Sequence, residues 1–414
     1  MQTQQIRTFH RSAIGSLAAT LLSATSLGAW ADEPSPWYIG ASQGFTHDSN
    51  VYRIPNGTGD NYSTTSLLGG FDQPIGRQRL HATARIGYNK YQDQSVLDNT
   101  SYAVNAGWDW TTIEKLSGSV NASASQALAT LNGNSIQPTT DRNLLKIEQI
   151  NASVRWGGDS LLSVFGNYGH SRVRYSALQS LPSESDGDTA SVGVNYRLSA
   201  DLSVGSAVRF TRTDSPFSIP IVADPVGPGD YRSDTSDGRN LDLLADWRYS
   251  AQTGVSARLS WTRQTYASSN RDFSGLTGAV TANYAPTAKL AFSASITRDA
   301  GTNGTYFNVV NPSNGDETTF LSENSTTTDG LTLGASYAAT AKISAIAGFV
   351  YRRATYGTGA NDFADNFRRA TLGVNYAVTR SALLACNLSR DSRSSIVNSY
   401  DANVFGCSAQ ITLR

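Results

Sequence analysis

The fold is decided by residues 187–213, which read GDTASVGVNYRLSADLSVGSAVRFTRT. Apolar residues fall on alternate positions on both sides of a short polar break, at Val192 and Val194 before it and at Leu202, Val204, Val208 and Phe210 after it, with Ser206 the one polar residue on that face. A period of two places these side chains on one face of a strand, whereas a helix requires a period near 3.6. The break near Asp201 is short enough for a tight turn. The stretch therefore predicts a β-hairpin with one apolar face and one polar face.

The same alternation recurs along the chain in eighteen segments. The connections between these segments alternate in length along the chain. Short ones include 157–159 and 250–251, and long ones include 214–236 and 300–324. An even strand number with short turns at one end and long loops at the other is typical of an outer-membrane barrel. The sequence therefore predicts an all-β fold, a transmembrane antiparallel up-and-down β-barrel of about 18 strands, over residues 32–414 in the bacterial outer membrane. The predicted strands cover 37–45, 61–72, 77–91, 98–111, 114–127, 142–156, 160–175, 187–199, 201–213, 237–249, 252–266, 271–284, 287–299, 325–338, 341–356, 364–378, 381–392 and 400–414.

Composition excludes other classes of protein. The 414 residues include 33 basic and 33 acidic side chains, so the formal net charge is +0 and we expect no nucleic-acid partner. No run after residue 31 reaches the 18 or so apolar residues that a transmembrane helix needs. A membrane protein of this composition must cross the bilayer as strands.

The first 31 residues have the features of a secretory signal peptide. Arg7 and Arg11 precede a mostly apolar stretch over 13–29, and the segment ends in the small-x-small pattern of Ala29 and Ala31. We predict cleavage after Ala31 and export to an oxidising compartment. The alternative, a membrane anchor, is disfavoured because the apolar run is short and interrupted by Gly and Ser.

Aromatic residues precede the short turns and predict an interfacial girdle at the periplasmic side, where outer-membrane lipid meets water. Ordinary strand packing is the alternative. The aromatic residues in question are Phe71, Trp108, Trp110, Trp156, Tyr196, Trp247, Tyr249, Tyr284, Tyr337 and Tyr376.

The inward faces carry charges of both signs. An 18-strand barrel is wide enough for an aqueous channel, and a mixed, hydroxyl-rich lining suits a polyhydroxylated solute better than an anion or a cation. Pairing of these charges with each other, merely to satisfy a polar interior, remains an equal alternative for any single residue. The alternation points Arg155, Arg197, Arg209, Arg258 and Arg352 inward with Asp242 and Asp246, and the candidate substrate-path residues are Arg155, Arg197, Arg209, Arg258 and Asp246.

Three residues break the expected alternation. Leu244 and Ile346 fall on the inward face of their strands, and Glu148 falls on the outward face. β-Bulges or a shifted register would account for them.

Cys386 and Cys407 lie on the last two predicted strands and share the outward face. They are equidistant from the centre of the closing hairpin, so they are expected to be cross-strand partners close enough for a disulfide. Two free, lipid-facing thiols are the alternative.

The sequence indicates no catalytic, metal or cofactor site. The histidines are His10, His47, His81 and His170, and no two have metal-ligand spacing. His170 with Ser171 is the one arrangement suited to nucleophilic catalysis, and neighbouring residues of a strand point to opposite faces. We therefore expect no enzyme activity, and a barrel that modifies lipid or polysaccharide through His170 is the enzymatic alternative.

Four short stretches carry a family resemblance: 46–53 (THDSNVYR), 76–80 (GRQRL), 97–100 (LDNT) and 106–110 (AGWDW). This series resembles the EpsL-type outer-membrane β-barrels of exopolysaccharide biosynthesis loci, most specifically over about residues 44–118. The resemblance implies export of an exopolysaccharide, with a periplasmic polysaccharide-export protein and an inner-membrane co-polymerase as partners. The function expected from the sequence is therefore a non-enzymatic outer-membrane export channel, and the alternative is a general or oligosaccharide-uptake porin.

Overall fold

The computed structural model describes residues 35–129, 140–158, 160–222, 227–269, 272–300, 307–310, 317–320, 327–356, 363–395 and 399–414. The predicted signal peptide lies outside the described residues. Within these ranges, eighteen strands form one sheet, and two further short strands form a sheet of their own. In chain order the strands are β1 (Trp37–Asp48), β2 (Asp60–Ile75), β3 (Gln78–Tyr91), β4 (Asn99–Thr111), β5 (Leu116–Leu128), β6 (Leu144–Trp156), β7 (Leu162–Tyr175), β8 (Ser185–Arg197), β9 (Leu202–Pro220), β10 (Tyr231–Ser250), β11 (Thr253–Tyr266), β12 (Phe273–Thr287), β13 (Leu290–Ala300), β14 (Phe307–Val310), β15 (Glu317–Phe320), β16 (Thr327–Ala338), β17 (Ile343–Tyr356), β18 (Phe363–Ala377), β19 (Ala382–Ser394) and β20 (Tyr400–Leu413).

The large sheet closes on itself. Each of its strands pairs antiparallel with its neighbours in the wall, and β1 pairs with both β2 and β20, with Ile39 opposite Leu413 at the seam. β13 pairs directly with β16, so the β14–β15 hairpin belongs to the connection between them. The predicted 18-strand up-and-down barrel is confirmed.

Helices contribute little to the described part of the chain. Three short 3-10 segments lie between strands, at Ser95–Leu97, Leu178–Ser183 and Pro228–Asp230. Within the described ranges, no helix is both long enough and apolar enough to cross a membrane.

Tight turns join the strands at one end of the barrel, which we call the short-turn end; the opposite end is the loop end. β2 and β3 are joined by Gly76 and Arg77 alone, since Ile75 pairs with Gln78. Gly76 has a φ of 60°, in the left-handed region that glycine adopts without steric cost. A two-residue hairpin of this kind needs such a residue.

Two loops predicted from the sequence contain more strand than expected. β9 continues to Pro220 and β10 begins at Tyr231, so the predicted loop over 214–236 is largely hairpin, and the loop predicted over 300–324 contains β14 and β15. This segment contains Pro216 and Pro220, and proline cannot donate a hydrogen bond to a strand ladder. This part of β9 extends beyond the register it shares with β8, which ends at Asp214, so proline is tolerated there.

The two faces of the wall differ in the direction expected for a barrel in lipid. In β2, Ser66 points inward and is 2% exposed, whereas Leu67 points outward and is 61% exposed. In β1, Thr46 is buried and Phe45 is exposed. Polar side chains therefore fill the interior and apolar side chains cover the outside.

The three irregular residues themselves lie in continuous register, so a bulge or a shifted register does not account for their positions. β10 does have a register shift against β11, but it lies between Trp247 and Ser250. Leu244 does point inward, and it lies opposite Gly205, whose missing side chain leaves space. Ile346 also points inward and fills the space over Gly373, where an added Cβ would lie 2.8 Å from its side chain. Glu148 faces outward, where its carboxylate lies 2.6 Å from the Lys146 Nζ.

Candidate channel and its lining

The outer surface carries a continuous apolar band. On β10 and β11, Leu241, Leu243, Leu259 and Trp261 point outward and are all more than half exposed. The predicted girdle residues also point outward, with Trp110 half-buried and the others exposed. Apolar exposure of this extent, around a polar interior and with aromatic rings at one edge, is stable only in lipid. The protein is a β-barrel of the bacterial outer membrane.

One side of the lumen presents amides and hydroxyls. Asn105, Asn121 and Asn151 point inward from β4, β5 and β6 and are exposed to the lumen. Among the described residues, inward side chains at 99–107, 117–127, 145–153, 163–175 and 185–195 include no charged group. We call this surface, the inward faces of β4–β8 over those ranges, the neutral wall.

Hydroxyl and amide pairs hold the neutral wall together. The Ser119 and Ser153 Oγ atoms lie 2.8 Å apart across β5 and β6. Asn167 Nδ2 donates a 3.2 Å hydrogen bond to Ser191 Oγ across β7 and β8. These groups are both donors and acceptors, so each can exchange a wall partner for a solute hydroxyl.

Three candidate path residues lie nearest the short-turn end. Arg155 points inward from β6, half-buried, opposite Phe165. Arg197 and Asp246 lie on one cross-strand row, with Ser203 between them. The structure therefore brings two of these residues onto one row and leaves Arg155 on a separate row.

The next strands of the wall, which begin at the β8–β9 pairing, carry arginines that are paired with carboxylates. Arg209 donates from Nε to Asp242 Oδ2 at 2.9 Å and from Nη2 to Oδ1 at 3.1 Å, a bidentate pair. Arg258 donates to Ser260 Oγ at 2.8 Å, and its Nη2 lies 3.4 Å from Asp299 Oδ1. We call the inward faces of β9–β13 the paired wall, since each of these arginines has a carboxylate beside it.

Sequence reasoning missed a cluster of buried ion pairs, which lies toward the loop end on β18 and β19. Arg369 donates from Nε and Nη2 to the two oxygens of Asp391, both at 2.6 Å. Arg393 binds Asp365 with its Nη2 2.6 Å from Oδ2. The Asp365, Asp391 and Arg393 side chains are at most 3% exposed and Arg369 is 10% exposed. The alternation of Thr371 and Gly373, extended toward the loop end, places Asp365 and Arg369 on this inward face.

The loop over 49–59 docks onto this ion-pair cluster through Arg53. Arg53 Nη1 lies 2.7 Å from Asp48 Oδ1, and its Nε lies 3.7 Å from Asp391 Oδ2. Burial alone would lower the pKa of Arg53, but the charge and hydrogen bond of Asp48 raise it above its ordinary value, so the guanidinium stays charged. Arg53 has a φ of 54°, a left-handed conformation that is strained for a residue with a side chain. The loop therefore holds a charged, strained residue against the inner wall.

Further contacts fix the same loop on both sides. Asn50 Nδ2 donates to the Asp401 carbonyl at 3.1 Å, beside β20. Tyr52 donates to Gln94 Oε1 at 2.7 Å and packs with Tyr91 and Leu97 in a small apolar cluster. The loop thus spans the inner surface from β19 and β20 to β3. Residues of the 46–53 stretch, which carries the family resemblance, make these contacts.

A polar cavity of about 420 Å³ lies between this loop and β20. Amide, phenol, carboxylate and guanidinium groups surround it, which are the group types that hydrogen-bond sugar hydroxyls. Its lining residues are Ser49, Asn50, Pro55, Asn56, Gly57, Arg393, Ser399, Tyr400 and Asp401.

Arg352 points inward from β17, as predicted, and is 1% exposed. Its Nε, Nη1 and Nη2 have no hydrogen-bond partner in the described part of the chain. Its exposure to the lumen is therefore negligible, and it adds nothing to a solute path.

His170 and Ser171 are not brought together. His170 points outward, with its Nδ1 3.0 Å from Asp188 Oδ1, and Tyr168 donates to the same carboxylate oxygen at 2.7 Å. Ser171 lies on the inward face of β7. Within the described ranges, no group of three or more His, Cys, Asp and Glu side chains is arranged to hold a metal ion.

Cys386 and Cys407 are directly opposite on β19 and β20 and form a disulfide, with Cα atoms 4.1 Å apart. Cys386 points outward and is exposed, and Cys407 is half-buried. The cross-link therefore lies on the lipid side of the closing hairpin and not in the lumen.

No family model matches the chain, and no curated protein matches it. Solved structures with a similar barrel include OccK5 (OpdH) of Pseudomonas aeruginosa, at 10% identity over 91% of this chain and 98% of that chain, with a TM-score of 0.44. OpdQ of the same organism shows 11% identity over 92% and 100%, with a TM-score of 0.44. A mutant of the ferric enterobactin receptor PfeA, also from P. aeruginosa, shows 8% identity over 92% and 81%, with a TM-score of 0.45.

A closed 18-strand barrel with an apolar exterior and a polar, partly exposed lumen has the architecture of a pore. The protein is thus an outer-membrane channel or porin.

Proposed function

We propose that the protein is a non-enzymatic channel through which a secreted exopolysaccharide leaves the periplasm. The observation that carries this proposal is the neutral wall, whose exposed groups include Asn105, Asn121 and Asn151. An amide both donates and accepts hydrogen bonds, and a sugar hydroxyl does the same, so a polymer can slide by exchanging one partner for the next.

The paired wall supports the same solute class. A channel that selects anions or cations needs an uncompensated charge at its constriction. Here Arg209 and Arg258 each lie beside a carboxylate, at 2.9 Å and 3.4 Å. Paired charges can form hydrogen bonds with sugar hydroxyls, and they do not favour either cations or anions.

The polar cavity at the loop end would then lie beside the exit. Its polar residues Asn50, Asn56, Tyr400 and Asp401 offer hydrogen-bonding groups like those of the neutral wall. The resemblance to EpsL-type barrels agrees with this assignment and supplies the proposed partners, a periplasmic polysaccharide-export protein and an inner-membrane co-polymerase. The short-turn end is the proposed docking surface for the periplasmic partner.

The test is deletion of the gene in its host, with polysaccharide measured separately in the medium and in the periplasm. We expect loss from the medium with retention or stalled synthesis inside, restored by the wild-type gene. Unchanged secretion would refute export, and a growth defect on oligosaccharides with normal secretion would establish the uptake porin instead.

A matched pair of variants tests the neutral wall itself. The wall variant combines Asn105→Leu, Asn121→Leu and Asn151→Leu, which replace the lumenal amides with apolar groups of similar size. The control combines Val104→Leu, Val120→Leu and Val154→Leu, which change outward-facing residues on the same three strands. We expect the control, and not the wall variant, to restore secretion at equal levels of folded barrel in the outer membrane. Equal restoration by both would show that the neutral wall does not carry the polymer.

A further inference from the structure

Two arginines on the outer surface face each other without a carboxylate between them. Arg239 on β10 and Arg263 on β11 are direct cross-strand partners, and both are exposed. Neither has a salt-bridge or hydrogen-bond partner among the described residues. Like charges directly opposite each other on one face of a sheet are destabilising. An anion bound by both guanidinium groups would remove this repulsion.

The position of the pair along the strands indicates which anion could bind it. One step toward the short-turn end, the same outward faces carry Leu241 opposite Trp261, both more than half exposed. One step toward the loop end, they carry Asp237 opposite Thr265. The two guanidinium groups therefore lie at the edge of the apolar band that faces the loop end, where headgroups of the outer leaflet meet the barrel.

Neighbouring outward arginines differ from this pair. Arg212 on β9 has Asp214 Oδ2 3.7 Å from its Nε, and Arg298 on β13 has Asp329 Oδ1 3.3 Å from its Nη1. Those charges are compensated by the protein. The pair on β10 and β11 thus differs from both of these compensated arginines.

We propose that Arg239 and Arg263 together bind a phosphate group of an anionic lipid in the outer leaflet. Side chains that are direct cross-strand partners have Cβ atoms about 5 Å apart, so both guanidinium groups reach one phosphate. Each can donate two parallel hydrogen bonds to the phosphate oxygens, and the phosphate charge removes the repulsion between the arginines. Leu241 and Trp261 then face the acyl chains of the same lipid.

The test titrates the purified full-length barrel in neutral detergent with bisphosphorylated lipid A, followed by tryptophan fluorescence. The double variant Arg239→Gln with Arg263→Gln is compared with Arg77→Gln plus Arg380→Gln, which removes two exposed arginines from turns at the short-turn end. We expect the first variant to bind lipid A at least about tenfold more weakly and the second to bind like wild type. Equal affinity of all three proteins, or an equal loss in both variants, would overturn the proposal.

A second readout separates a lipid site from a site for any anion. Inorganic phosphate should not compete with lipid A at comparable concentrations, and competition would assign the site to free anions. The double variant should also unfold at the same temperature as wild type, or higher, without lipid A, because the repulsion is gone, and at a lower temperature with lipid A. A lower unfolding temperature in both conditions would indicate a structural role and contradict lipid binding.

Discussion

Arg53 should control whether the loop over 49–59 stays docked, and the variant Arg53→Ala tests this. The side chain is 4% exposed and lies 2.7 Å from Asp48 and 3.7 Å from Asp391. Alanine at this position keeps the strained φ of 54° that arginine has, so the difference between the two proteins reports on the guanidinium.

The expected magnitude follows from which charges lose a partner. Removing one member of a buried ion pair costs about 3–5 kcal/mol, because the other charge is left uncompensated. Asp391 keeps Arg369 at 2.6 Å, so Asp48 alone loses its arginine. We therefore expect the lower end, about 3 kcal/mol, which shifts the balance between the docked and released loop by about 150-fold at 1.36 kcal/mol per tenfold change.

Hydrogen exchange measures this balance directly. The Val51 and Gly57 amides donate to carbonyls within the loop at 3.0 Å and 3.2 Å, so both should exchange faster by a comparable factor when the loop is released. Single-channel recordings in a planar bilayer should show more frequent transitions between conductance levels. Arg77→Ala, at the short-turn end, is the control.

A second variant keeps the test decisive if Arg53→Ala fails to assemble. Asn50→Ala removes the hydrogen bond to the Asp401 carbonyl and two hydrogen bonds to the Ile54 backbone without changing any charge, so a smaller acceleration of about five- to tenfold is expected. Exchange of Val51 and Gly57 at wild-type rates in both variants would refute the claim that these contacts hold the loop.

Three further predictions concern separate parts of the barrel. Reduction, or Cys386→Ser with Cys407→Ser, should lower the free energy of unfolding by about 3 kcal/mol in the chain-entropy model for a sequence separation of 21; equal urea midpoints of the oxidised and reduced barrels in lipid vesicles would contradict this. Arg209→Gln leaves the largely buried Asp242 without its guanidinium, so the ratio of cation to anion permeability should rise by up to about fivefold; an unchanged reversal potential in a salt gradient would exclude the pair as part of the lumenal lining. Burial raises the pKa of Glu184 above 4.5, so the folded state binds this proton more tightly than the unfolded state does. The free energy of unfolding, measured relative to Glu184→Gln, should therefore rise as the pH falls through the raised pKa towards 4.5. A pH-independent difference between the two proteins would show that Glu184 does not titrate in this range.

The strands were predictable because each side chain of a membrane-spanning strand points either outward to lipid or inward to the aqueous lumen. Polar and apolar residues therefore alternate with a period of two over long stretches, as at Ser66 and Leu67. The register between neighbouring strands follows from this alternation, because a shift by one residue would turn the polar face to lipid. The same parity correctly places Arg209 and Arg352 on the inward face.

Partners across several strands were not predictable in the same way. The pairing of Arg53 with Asp391 joins residues far apart in sequence, through a loop whose path no periodicity describes. Its left-handed φ is set by tertiary contacts and not by local preference. Leu244 and Ile346 were misjudged for a related reason, since glycines on neighbouring strands make room for them.

The long β9–β10 hairpin makes the rim of the barrel uneven. β9 leaves its register with β8 at Asp214, and β10 leaves its register with β11 at Ser236, yet the two strands continue to pair with each other as far as Pro220 and Tyr231. Six residues of β9 beyond Asp214, at about 3.3 Å each, add about 20 Å of ribbon along the strand direction. A solute that emerges from the lumen would meet this ribbon on one side, so its direction of departure would be biased away from β9 and β10.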